Sequence, residues 1–156
     1  MNQTTTIKNR ALPLGKKHSV YLASPFFKQD QIERVELVEK LLEKHGYSYF
    51  SPRKELVCPP NSTEEVRKKT FEGNHNGILN AEMVIAITDG KDVGTIWEMG
   101  VAYQANIPVI GVAFTLGDNP FNLMLSESCF TTVKTPEELE DFLINNTKIY
   151  YQGKIE

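Results

Sequence analysis

Two carboxylates, Asp92 and Glu98, flank a glycine-containing turn in DVGTIWEMG (Asp92–Gly100), just after the apolar run MVIAIT (Met83–Thr88). Gly94 permits close backbone approach. Glu98 is read into the first turn of the following helix, where the positive end of the helix dipole favours an ionised carboxylate. Such a carboxylate at a crevice can attack an anomeric carbon while a second carboxyl handles a proton, as in retaining glycoside chemistry. The same letters also have a structural reading. Thr95-x-x-Glu98 matches a capping box, in which Glu98 would only satisfy a backbone N–H. Thr135 and Glu138 repeat the pattern, and there capping is the expected role. Position separates the two, because Thr95 follows the expected central strand and Thr135 does not.

Other side chains could serve such a site. Asn74, His75, Asn76 and Asn80 make one helical stretch rich in groups that can read the edge of a planar heterocycle, although Asn76 and Asn80 fit an exposed polar face equally well. Tyr21, Phe26 and Phe27 cluster near the end of the first expected strand, where they could stack on a base or pack in the core. Neither GxGxxG nor GxxxxGK[ST] is present, so no dinucleotide or P-loop fingerprint is offered. Cys58 and Cys129 lack CxxC spacing and are read as reduced thiols. The three histidines are scattered, so no metal and no cofactor is assigned.

The elements that must position these residues alternate. Val20 and Leu22 in HSVYLASPFF predict a buried first strand ended by Pro25. Ile32, Val35, Val38 and Leu41/Leu42 recur at helical spacing from Asp30, with Gly46 as the stop. Tyr47 to Phe50 is a short second strand, and Arg53 to Ser62, with its Pro59-Pro60, reads as loop. A helix is expected from Ser62 to about Asn80, then MVIAIT as a strand buried on both faces. A helix near Thr95, the strand IPVIGVAF (Ile107–Phe114), an irregular or short helical FNLML (Phe121–Leu125), a last strand in CFTTV and a helix from Thr135 complete the order. This alternation predicts an α/β fold: a doubly wound, mostly parallel five-stranded sheet with helices on both faces, flavodoxin- or Rossmann-like. In such sheets the ligand crevice lies outside the carboxyl ends of the strands. That directs attention to the loops at Ser24–Phe27, Ser51–Glu55 and Asp89–Thr95.

The chain has 156 residues, room for about one domain; residues 1–17, basic and without periodicity, are read as a flexible tail, and 18–156 as a single domain. Lys and Arg number 17 against 20 Asp and Glu, a formal net charge of -3 that argues against a nucleic acid polymer as partner. No apolar run has the length of a membrane helix and the polar start is unlike a signal peptide, so no membrane partner and a cytoplasmic location are expected.

The combination of YLASPFF, NHNGILNAEMVIAITDGKDVGTIWEMGVAY and FNLML resembles the nucleoside 2-deoxyribosyltransferases, from about Val20 to the C-terminus. The resemblance implies transfer of a 2-deoxyribosyl group between nucleobases by a retaining double displacement. In it, Glu98 is the nucleophile on C1′, Asp92 the nearby acid, and Tyr21 the hydrogen-bond partner of the nucleophile. Phe26, Phe27, Asn74 and Gly94 would contact substrate. Asn122, with Met124 beside it, matches the segment that reaches a neighbouring subunit's site, and the ending YQGKIE would bring Glu156 there. Implied partners are 2′-deoxyribonucleosides, free purine or pyrimidine bases, and copies of the same chain in a dimer-based hexamer; no cofactor is implied.

The sequence departs from the family pattern at Asn74, where many members carry an aspartate that protonates the departing base. An amide can hydrogen-bond a base but cannot act as a general acid, so Asp92 or water would deliver the proton. Ser24-Pro25-Phe26 resembles purine-restricted members, while Asn74 does not. Two alternatives stand beside transfer: an N-glycosidase that passes the sugar to water, and a non-catalytic nucleotide sensor in which Glu98 is only a cap.

Overall fold

A computed structural model describes residues 17–156 of the protein. The segment read as a tail lies outside the described residues except for Lys17, whose Nζ donates to the His45 carbonyl. In chain order the elements are β1 (Val20–Ala23), α1 (Gln29–Lys44), β2 (Tyr49–Phe50), α2 (Pro52–Glu55), α3 (Glu64–Asn80), β3 (Met83–Ile87), α4 (Val93–Gln104), β4 (Val109–Val112), α5 (Leu123–Ser128), β5 (Thr131–Val133) and α6 (Pro136–Asn145). The five strands form one sheet in the order β2-β1-β3-β4-β5. Every pairing is parallel, so the expected mostly parallel sheet is wholly so.

Period-two alternation along the strands sorts side chains into two layers. Val20, Leu22, Met83, Ile85 and Ile87 face one way and pack with α1 and α6 through Val35, Val38, Leu42, Leu139 and Phe142. Tyr21, Ala23, Val84 and Ala86 face the other way, toward Ile78 of α3 and Met99 and Ala102 of α4. All five residues of β3 are buried, because helices cover this central strand on both sides.

One local expectation is corrected: residues Pro52–Glu55, expected in loops, form α2, which begins on a proline, a residue suited to the first helical position. FNLML, expected as irregular or a short helix, runs into α5, which supplies the crossover that the parallel strands β4 and β5 need. The helix expected near Thr95 begins at Val93. Among the described residues, no helix is long and apolar enough to cross a membrane.

Candidate functional site

The start of α4 removes Glu98 from the capping role. Asp92 is the N-cap: its Oδ2 accepts hydrogen bonds from the Thr95 backbone N at 2.9 Å and from Thr95 Oγ1 at 3.0 Å. Thr95 is therefore inside the helix and buried, not the cap. Glu98 lies in the second turn rather than the first, beyond the reach of a capping box. A side chain at Gly94 would crowd this arrangement, since its Cβ would sit 3.2 Å from Asp92 Oδ2.

Freed from capping, Glu98 meets β1. Tyr21 points to the α3/α4 side of the sheet, is fully buried, and its hydroxyl donates to Glu98 Oε1 at 2.8 Å. Burial pushes the Glu98 carboxyl up; the Tyr21 hydrogen bond opposes this and the Asp92 charge adds to it, leaving a pKa of about 7. The helix-dipole preference for an ionised carboxylate expected from sequence is thus outweighed by desolvation, with the helix end now a turn away. Tyr21 in turn is raised far above the usual phenol range by burial, the Glu98 charge and their hydrogen bond.

The ring of Tyr21 stacks on Phe50, centroids 5.5 Å apart and 12° between planes. The expected Tyr21–Phe26–Phe27 cluster is therefore divided. Phe26 and Phe27 pair with each other in the β1–α1 loop at 5.0 Å, with Phe27 75% exposed, whereas Tyr21 is enclosed and cannot stack on a ligand.

On α3, Asn76 and Asn80 are exposed, and His75 stacks with Phe71 and approaches Trp97 at 6.3 Å. Asn74 differs, because its Oδ1 is buried with no hydrogen-bond partner. An acceptor held that way carries a desolvation penalty that a donor on a ligand would relieve.

Asn122 and Glu156 come together elsewhere. Asn122 caps α5, its Oδ1 accepting from Met124 N at 3.0 Å and Leu125 N at 3.3 Å. The C-terminal residues lie alongside: Phe121 N donates to Lys154 O, Glu156 N to Phe121 O, and Leu123 N to Glu156 O. The Glu156 carboxylate pairs with Lys91. Asp89, Thr115, Asn119, Phe121, Asn122 and Glu156 line a cavity of about 370 Å³ over the carboxyl ends of β3 and β4; Glu98, Tyr21 and Asn74 do not line it. Met124 projects nearby, 75% exposed.

Two contributors escaped the sequence reading. Asp89, buried at the end of β3, accepts from Thr115 N at 2.6 Å, Thr115 Oγ1 at 2.7 Å and Phe114 N at 3.2 Å, which fastens the loop carrying Asp92 to the end of β4. An aspartate closing an apolar strand was the available signal. Glu39 of α1 accepts from Ser51 Oγ at 2.8 Å and from Arg53 Nε at 3.0 Å, holding the β2–α2 loop. Burial alone would raise its pKa, but the Arg53 and Ser51 hydrogen bonds and the charges of Arg53 and Lys54 bring it below the ordinary value. No sequence signal marked that contact, which joins separate elements.

The model of the nucleoside 2-deoxyribosyltransferase family matches residues 20–129. Among solved structures, the chain is similar to the 2-deoxyribosyltransferase of the psychrotolerant bacterium Bacillus psychrosaccharolyticus, with 28% identity, a TM-score of 0.74, and coverage of 85% of this chain and 99% of that one. A conserved protein of Enterococcus faecalis V583 shares the fold at 17% identity and TM-score 0.61, over 82% and 98% of the two chains. So does the CMP N-glycosidase BcmB of Clostridium botulinum, at 18% and 0.53, over 80% and 96%. No curated protein sequence matches the chain.

Proposed function

The chain belongs to the nucleoside 2-deoxyribosyltransferase family, and from that membership we propose that it exchanges nucleobases on 2′-deoxyribonucleosides by a retaining double displacement. The observation that carries the proposal is the 2.8 Å hydrogen bond from the Tyr21 hydroxyl to Glu98. It fixes one carboxylate oxygen and leaves the other to attack. The family assignment and the 28% identical transferase support an enzyme acting on nucleosides.

In the first displacement a Glu98 oxygen bonds to C1′ as the C1′–N bond to the base breaks, and the base leaves with its electron pair and takes a proton. In the second, a ring nitrogen of the incoming base attacks C1′, expels Glu98 as carboxylate and gives up its own proton. Two inversions give net retention. Glu98 must be ionised to attack, and with a pKa of about 7 it is ionised in a large fraction of molecules at neutral pH. Removal from water leaves the carboxylate poorly solvated and more reactive.

Asp92 caps the helix that carries Glu98 and stands as the nearest acid named for proton delivery, since Asn74 has no proton to give. Asn74, with its unpartnered Oδ1, serves as acceptor for an N–H of the base. Phe26 and Phe27 would cover the base, and Gly94 would admit substrate close to the backbone. Asn122 and Glu156 line a cavity that Glu98 does not line, and Met124 stands exposed beside them, which supports a role for that segment in the site of another copy within a dimer-based hexamer.

Water in place of the second base would make the protein an N-glycosidase with the same nucleophile. Beside the β2–α2 loop, Arg53 is engaged with Glu39 and Glu36 and Lys54 with Glu39 and Glu43, which leaves these two cations less available to a nucleotide phosphate. The test is incubation with deoxyinosine or thymidine plus free adenine. Formation of deoxyadenosine is expected; free deoxyribose without a new nucleoside would establish hydrolysis instead.

A further inference from the structure

Gly77 opens the last turn of α3, a helical position where glycine is a weaker helix former than alanine. The steric surroundings account for it. A Cβ at this position would lie 3.1 and 3.2 Å from Cε2 and Cδ2 of Tyr21 and 3.3 Å from Cδ1 of Phe50. These distances are shorter than ordinary van der Waals contact, so a methyl group there requires a neighbour to give way. Tyr21 and Phe50 are register partners on β1 and β2, their rings stacked side by side on the face that α3 covers. The α3 backbone at Gly77 thus closes over the edges of both rings.

We propose that Gly77 is a positioning residue for the reaction: by letting α3 close on the Tyr21 ring, it sets the phenol hydroxyl at hydrogen-bonding distance from Glu98. The inference rests on the reading of Glu98 as nucleophile and adds a residue that touches neither substrate nor Glu98. Tyr21 is fully buried and its ring is bounded by Phe50 and the α3 backbone. A displacement of the ring by a few tenths of an ångström is therefore passed to the hydroxyl rather than absorbed by solvent. Asn74 lies three residues earlier on the same side of α3, so the backbone that holds the ring also carries the side chain offered to the base.

The charged and titratable groups that govern Glu98 are Tyr21 from β1 and Asp92 from the start of α4; from α3, His75 lies against the neighbouring Trp97. Because the Tyr21 hydrogen bond holds the Glu98 pKa down, loosening it moves the acid limb of the pH–rate profile upward.

The experiment compares kcat/KM against pH for the full chain as wild type, Tyr21→Phe, Gly77→Ala and the double variant. Tyr21→Phe and Gly77→Ala are each expected to shift the acid limb to higher pH, Gly77→Ala by roughly 0.5 unit, with kcat lowered more than KM is changed. In the Tyr21→Phe background, Gly77→Ala should add nothing to the shift, since the hydrogen bond to Glu98 is already gone although the ring remains. Phe50→Leu, which loosens the other side of the ring without adding a group to α3, should move the limb in the same direction. The inference is overturned if neither Gly77→Ala nor Phe50→Leu moves the limb, or if Gly77→Ala shifts it equally with and without the tyrosine hydroxyl. If Tyr21→Phe itself leaves the limb in place, or Glu98→Ala keeps full exchange, the reading of the site fails and the role of Gly77 falls with it.

Discussion

Thr95-Ile-Trp-Glu98 and Thr135-Pro-Glu-Glu138 carry the same capping letters at the starts of two helices. At α6, Thr135 is the cap: its Oγ1 accepts from Glu138 N at 3.1 Å, and the Glu138 carboxylate turns back to the Lys134 N–H at 2.6 Å. At α4, Asp92 takes the capping place three residues earlier, Thr95 becomes an internal residue, and Glu98 is carried one turn on, to the buried hydroxyl of Tyr21. One glutamate serves the backbone; the other is withheld from it. An additional acid upstream is enough to move the helix frame, and the neighbouring strand then decides what the released carboxylate meets.

The largest contrast should come from removing the two glutamates. Glu98→Ala is expected to lower base exchange by roughly 10³-fold or more while retaining the fold, whereas Glu138→Ala should leave exchange near the wild-type rate. Full activity in Glu98→Ala, read by chromatography of the nucleosides, would return Glu98 to a structural role. Removing the caps makes a second pair. Asp92→Ala and Thr135→Ala should each cost about 1 kcal/mol by denaturant melting, as lost N-caps do. Only Asp92→Ala should also slow exchange, and equal activity in the two variants would remove Asp92 from the chemistry.

Titration sharpens the comparison further. Glu98 moves from 4.5 in the unfolded chain to about 7 in the fold, so the folded state keeps a proton that the unfolded state releases. The stability attached to that proton is full below pH 4.5 and is lost as pH rises toward 7. Glu98→Gln removes the loss and should be more stable than wild type at pH 8 by about 1–3 kcal/mol. The wild-type kcat/KM should rise with pH through about 7, as the nucleophile ionises; a flat profile from pH 5 to 8 would contradict the burial argument. The smallest effect is expected at Asn74→Asp, which places a titratable group where an unpartnered amide now sits. The pH dependence of base release should change, and an identical profile would show that this position takes no part in proton transfer.

Much of the scaffold could be read from the letters. MVIAIT and IPVIGVAF are apolar runs that only a strand covered on both faces makes use of, and Val35, Val38 and Leu42 mark the inner face of α1 at helical spacing. Short elements were harder. Four residues of α2 and six of α5 span too few turns for a period to show. At the site, the Asp92 and Glu98 types were legible as chemistry, but the frame of α4 was not, because Asp92 and Thr95 are both good caps and local sequence does not rank them. Tyr21 could be grouped by proximity in sequence with Phe26 and Phe27. Its true neighbours, Phe50, Gly77 and Glu98, come from β2, α3 and α4 and meet only once the sheet has formed. The unpartnered Asn74 oxygen likewise depends on packing that no local pattern records.

Intact-mass and peptide mass spectrometry after incubation with a 2′-deoxynucleoside, without acceptor base, tests the central claim most directly. The account predicts one deoxyribosyl group on the peptide bearing Glu98, discharged when adenine is added and absent from Glu98→Ala. Base exchange that proceeds with the group on another residue, or at an undiminished rate in Glu98→Ala, would contradict it.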